Sequence, residues 1–142
     1  MRPKNWEQNF CDMQEFADFV CHIAGIDEIP IKLTNASTYG GKAFRKKRYI
    51  AIPVRELEDF SGAEHWRKHV IIHEICHFLN WENGGRGHDS QFLRIERDLH
   101  AQFGMKGLYS KVYIHTLMDM SGNVLWTKKY YKEDRYAAQA KS

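Results

Sequence analysis

The sequence predicts an α+β domain, and three observations carry that reading. Three stretches repeat apolar residues at helical spacing. Several short stretches around them alternate apolar and polar residues, as strands do. The middle helical stretch contains His73-Glu74-Ile75-Cys76-His77, an H-E-x-x-H pattern whose chemistry needs a helix. The expected order is an N-terminal helix, a small mostly antiparallel sheet, the H-E-x-x-H helix, a following ligand-bearing helix and a C-terminal hairpin. One domain should span 1–142, with a core over about 26–104, a hairpin over 111–131 and a frayed tail over 133–142.

The first helix is expected from Trp6 to Gly25. Trp6, Phe10, Met13, Ala17, Val20 and Ala24 form one stripe, Asn5 can cap its start and Gly25 its end. Cys21 and His22 near its end read as structural, because nothing nearby completes a site. Ile29 to Asn35 alternates as a short strand. Thr38-Tyr39-Gly40-Gly41 is a turn, and Lys42–Phe44 and Arg48–Val54 are further strands around the basic cluster Arg45-Lys46-Lys47-Arg48. That cluster reads as a solvated hairpin tip, with a nucleic-acid patch as the other reading. Pro53 marks the end of its strand or a place at the sheet edge. An edge strand beside a metal site could hold an extended peptide as an added strand.

Arg55 to Gly62 is a polar connection or short helical turn. Ala63 to Trp81 is the second helix, whose apolar residues Trp66, Val70, Ile71, Ile75, Phe78 and Leu79 cover so broad an arc that it should be largely buried. His69 is expected at a pocket edge or in solvent. Asp89 to Phe103 is the third helix, capped by Asp89 or Ser90, with Phe92, Leu93, Ile95, Leu99 and Phe103 as its apolar face. Lys111–Met120 and Asn123–Tyr131 alternate as two strands about a Ser121-Gly122-Asn123 turn.

Composition narrows the class. Hydrophobic residues at 43% and charged residues at 27% fit an ordinary globular domain that needs no disulfide support. A net charge of +3 permits contact with nucleic acid without requiring it. The three cysteines, Cys11, Cys21 and Cys76, form no Cys-x-x-Cys pair, which excludes a four-cysteine zinc ribbon and favours a reducing compartment. Met1 to Gln14 lacks an apolar signal core and no apolar run has membrane-spanning length, so a cytoplasmic location is expected.

The chemistry lies in the H-E-x-x-H pattern. Residues four apart share one helix face, so His73 and His77 can grip one metal ion from successive turns. Glu74 beside them can take a proton from a water activated there. A catalytic zinc site needs a third ligand. Asn80 and Asn83 stand where a metzincin would place Gly and His, so that pattern is absent. Two candidates remain: Glu96, on the next predicted helix, and His88, presented by the Gly84-Gly85-Arg86-Gly87 loop.

His73-Glu74-Ile75-Cys76-His77, then Gly87-His88-Asp89-Ser90-Gln91-Phe92, resembles the SprT-like zinc metalloproteases, the Spartan proteases among them. Their pattern is an H-E-x-x-H helix, a variable loop, and a Gly-His pair closely followed by an aromatic residue. The resemblance covers roughly Ala43 to Leu99 and includes the strand Tyr49-Ile50-Ala51-Ile52. Asp89 and Ser90 replace the family's small residue and proline. Many relatives carry a Cys-rich zinc ribbon after this domain, and here the Lys111–Tyr131 hairpin occupies that place.

The resemblance implies a zincin-like metalloprotease fold, Zn2+ held by His73, His77 and His88, and Glu74 as the catalytic base. The expected activity is hydrolysis of peptide bonds in a protein or peptide substrate, with Tyr39, Tyr49, Arg86 and His115 as candidate oxyanion donors. DNA is a candidate partner through the basic turn, and a membrane is not. The rival reading is a non-catalytic, zinc-stabilised nucleic-acid-binding or scaffold module. Glu74 argues against it, because a structural site has no use for a carboxylate there.

Overall fold

A computed structural model describes residues 2–111 and 114–129 of the chain. Helix α1, Trp6–Ala24, buries Met13, Ala17 and Val20 of the predicted stripe together with Cys21, while Trp6, Phe10 and Ala24 are only half-buried. It stops at Gly25, whose φ of 74° suits a residue without a Cβ. The next amide, Ile26 N–H, donates back to the Cys21 carbonyl at 3.0 Å, the closing bond of a Schellman turn. Asn5 does not cap the helix as expected. It makes no capping bond, and its side chain donates to Asp59 at 3.3 Å. Asn9 reaches the same loop, donating to Leu57 O at 2.8 Å and Asp59 Oδ1 at 2.9 Å.

The first sheet holds β1 (Ile31–Thr34), β2 (Lys42–Phe44) and β3 (Tyr49–Pro53) in the order β1-β3-β2. It is mixed: β1 runs parallel to β3, and β2 runs antiparallel to it. The edge reading of Pro53 gives way to the terminal one. β3 is central, with Ile50, Ala51 and Ile52 all buried, and Pro53 pairs only with Thr34 at its last position. β2 is therefore an edge strand of this sheet among the described residues. The basic turn after it exposes Arg45, Lys46 and Lys47, while Arg48 folds back to donate to Asp27 O at 2.7 Å.

A 3-10 turn, Val54–Leu57, leads to α2, Ala63–Glu82. Ile71, Ile72, Ile75 and Cys76 are fully buried around much of the helix circumference, so α2 is the central element. Asp89 caps α3, Ser90–Gln102, by accepting from Phe92 N–H at 2.9 Å. Phe92 and Leu99 are buried, but Leu93 is 56% exposed, so the apolar face is narrower than expected.

The C-terminal part departs most from expectation. It is a three-stranded antiparallel sheet, β4 (Met105–Lys111), β5 (Ile114–Asp119) and β6 (Val124–Lys129). Lys111 ends the first strand where it was expected to open a hairpin. Gly107 conceals that strand in the sequence. With φ 97° it sits at a register shift between Met105 and Leu108, so the glycine marks an irregularity within the strand. Trp126 stacks on Trp66 of α2 at 4.5 Å, which seats the sheet on the helix start. The expected extension of the last strand to Tyr131 and the frayed tail lie outside the described residues. Cys11, Cys21 and Cys76 are free thiols, and no helix among the described residues is long and apolar enough to cross a membrane.

Candidate metal centre

Helices α2 and α3 run antiparallel, and their side chains meet at regular steps along both. His69 meets His100, His73 meets Glu96, His77 meets Phe92 and Asn80 meets Asp89. Most steps are four residues on each helix, the spacing that stacks side chains on one face. The H-E-x-x-H pattern is the middle of this ladder.

His73 and His77 present their rings 5.1 Å apart, and the loop between the helices brings His88 over both. The Nε2 of His88 lies 3.1 Å from that of His73 and 3.2 Å from that of His77. Four ligands at 2.0–2.1 Å around a tetrahedral zinc would be about 3.3 Å apart, so these donors suit one such ion. Among the described residues, these three form the one group of histidine, cysteine or carboxylate side chains close enough to share a metal. Phe92, fully buried, backs all three rings at 5.1, 4.6 and 4.8 Å.

Glu96 faces the other side of His73 and hydrogen-bonds its Nδ1. That bond orients the ring with Nε2 toward the cluster. Burial disfavours charge on His73, but the Glu96 bond and the nearby carboxylates outweigh it and lift its pKa above the ordinary value. Burial pushes the Glu96 carboxyl up, and the His73 contact more than reverses that shift. His77, in contrast, is lowered to about 4 by burial and by its two histidine neighbours.

Glu74 is only 6% exposed. Burial raises its pKa to about 7, while His73 and a bond from the Ala43 amide of β2 hold it back. Gly41 makes that approach possible, since a Cβ there would stand 2.6 Å from Val70 and 3.3 Å from Glu74. Cys76, inside the motif, is fully buried, and its thiol is pushed far up by burial, so it stays protonated.

His69 does not sit at a pocket edge or in solvent. It is 6% exposed, and its Nδ1 lies 3.0 Å from His100 Nε2. Burial first, and His100 second, lower its pKa to about 3, so the pair is neutral. Of the candidate oxyanion donors, Tyr49 is stacked on Phe44 at 4.6 Å and Arg86 is exposed on the loop. Tyr39 and His115 border a cleft of about 870 Å³ walled also by Gly40, Trp66 and Trp126. The sequence reading missed His100 and Asn80, whose partners are 31 and 9 residues away.

Two solved structures share this fold. One is the metallopeptidase zymogen jannalysin of Methanocaldococcus jannaschii, at TM-score 0.50 and 18% identity over 61% of this chain and 79% of that one. The other is the metallopeptidase zymogen abylysin of Pyrococcus abyssi, at TM-score 0.50 and 14% identity over 64% of this chain and 90% of that one. By sequence, the chain matches no protein-family model and no curated protein.

Proposed function

We propose that this chain is a zinc-dependent metallopeptidase of the SprT-like kind, with His73, His77 and His88 as metal ligands and Glu74 as catalytic base. The observation that carries the reading is the convergence of three imidazole Nε2 atoms, 3.1 and 3.2 Å apart, beside a buried carboxylate. Three histidines leave a fourth coordination position open, as a catalytic zinc site does. Zinc, when bound, would supply Lewis acidity that lowers the pKa of a water to about 7 and polarises a substrate carbonyl.

The rest is done by the chain. Glu96 fixes the His73 tautomer, leaving the Nε2 lone pair directed into the histidine cluster, where it would be free to bind a metal. Phe92 walls the three rings and keeps water from their apolar side. Glu74 removes a proton from the attacking water and returns it to the leaving amine. The substrate is a protein or peptide, and free cysteines, two of them buried, support action in the cytoplasm.

Glu74→Gln tests the reading. It keeps shape and removes basicity, so zinc content and folding should stay as in the wild type. Hydrolysis of a disordered protein substrate should fall by about 10²–10⁴-fold. Zinc-loaded wild type that cleaves no disordered substrate would overturn the proposal, and so would cleavage undiminished by the substitution.

A further inference from the structure

His88 differs from the other two histidines of the cluster. His73 and His77 are fixed by α2, whereas His88 sits on a loop with three glycines, two of which have positive φ: Gly84 at 80° and Gly87 at 56°. Such a loop has many conformations available, and ordering it on metal binding would weaken the affinity. Something must hold His88 in place beforehand.

Asn80 is the buried polar group at that end of α2, 1% exposed and one turn beyond His77. Its amide Nδ2 donates to Gly87 O at 3.4 Å and to Asp89 Oδ1 at 3.1 Å. Those are the residues immediately before and after His88. Its Oδ1 accepts from Gln91 Nε2 at 2.7 Å, and its backbone carbonyl accepts from Gly85 N–H at 2.8 Å. Asp89 closes the loop from the other side, with Oδ2 accepting from Arg86 N–H at 2.9 Å. Gly85 packs so tightly on this amide that a Cβ would lie 2.3 Å from Asn80 Oδ1. Every polar atom of the Asn80 side chain is directed at the loop or the first turn of α3, and none at the histidine cluster.

We propose that Asn80 and Asp89 form a clamp that presets His88 as a metal ligand, making Asn80 a positioning residue for the site. This rests on the metal-centre reading above. The clamp holds the Gly87 carbonyl just before His88 and the Asp89 carboxylate just after it, and so sets the path of the chain through His88. Its loss frees the loop and leaves α2 and the first two histidines where they are.

The test is zinc affinity measured by chelator competition, in a cycle with His88→Ala. Asn80→Ala should weaken zinc binding by about 10–100-fold, the range for groups that orient a ligand. In the His88→Ala background the same change should cost little further affinity, because the residue it acts through is gone. Asp89→Ser keeps a residue able to cap α3 but loses one acceptor oxygen, so it should weaken zinc binding with little change in helix content. Gly85→Ala provides a second route, displacing Asn80 without deleting it, and should show the same dependence on His88. Wild-type affinity in both Asn80→Ala and Gly85→Ala, or an equal loss with and without His88, would overturn the clamp alone. Wild type that binds no zinc would overturn the metal-centre reading and the clamp with it.

Discussion

His88 and Glu96 competed for one role in the sequence, and the structure gives each a separate place. His88 adds its Nε2 to the cluster, while Glu96 binds the far nitrogen of His73. One removes a donor when deleted, and the other removes only the restraint on a donor. Glu96→Ala should therefore lower zinc affinity by about 10–100-fold yet still load at high zinc. His88→Ala should lose more, and Glu96→Gln, which keeps an acceptor, should lose less. Metal titrations of the three variants would check this ranking. If Glu96→Ala abolished binding while His88→Ala retained it, the carboxylate would be the ligand. Residues of this kind are only half legible in a sequence. H-E-x-x-H is a local pattern, so His73, Glu74 and His77 can be singled out from spacing alone. Asn80 and His100 have no such pattern, because their roles depend on partners in another helix.

At the scale of elements, the helices were legible and the sheets much less so. Each helix carries several turns of one period, and Gly25 and Asp89 punctuate their ends. The β1–β3 pairing is parallel and skips β2, an order that short alternating runs do not reveal. Gly107 hid β4, since glycine reads as a break unless a bulge is already known. The α2–α3 ladder also accounts for His69, expected at a pocket edge or in solvent because its partner lies on another helix. That step has a consequence for stability. The folded His69 has a pKa of about 3, below the ordinary 6.5, because burial excludes its charged form. The unfolded chain takes up a proton below about pH 6.5 and the folded chain does not. His69 thus adds no pH dependence above that value, and stability is lost as pH falls from there toward 3. The slope is about 1.4 kcal/mol per pH unit for one proton. Replacing His69 with Gln should flatten the stability curve by about one proton between roughly pH 6 and pH 4. Urea denaturation across that range measures it, and parallel curves for the two proteins would contradict the assignment.

For the whole molecule, the site and the core share one helix. Ile71, Ile72 and Ile75 bury one side of α2 against α1 and the first sheet, and His73 and His77 open the other side toward α3. The apolar cluster runs from Met13 on α1 through α2 to Met105 on β4. A core of that extent is expected to hold the fold without a metal, unlike small domains whose folding free energy is metal binding. An ion held by the three histidines would add a crosslink between α2 and the loop leading into α3. A ligand that binds only the folded state stabilises it by about 2.7 kcal/mol at a hundredfold excess over its Kd. For a chain of this size that corresponds to a rise of about 5–10 °C in Tm. Chelator-treated protein should thus keep its helix content and a cooperative unfolding transition, with Tm lower by about that amount and restored by zinc. The same treatment should leave the Tm of His88→Ala nearly unchanged, because that variant has little metal to lose. Chelation that unfolds the wild type outright would mean that the core depends on the metal, and a Tm indifferent to zinc would mean that the three histidines hold none.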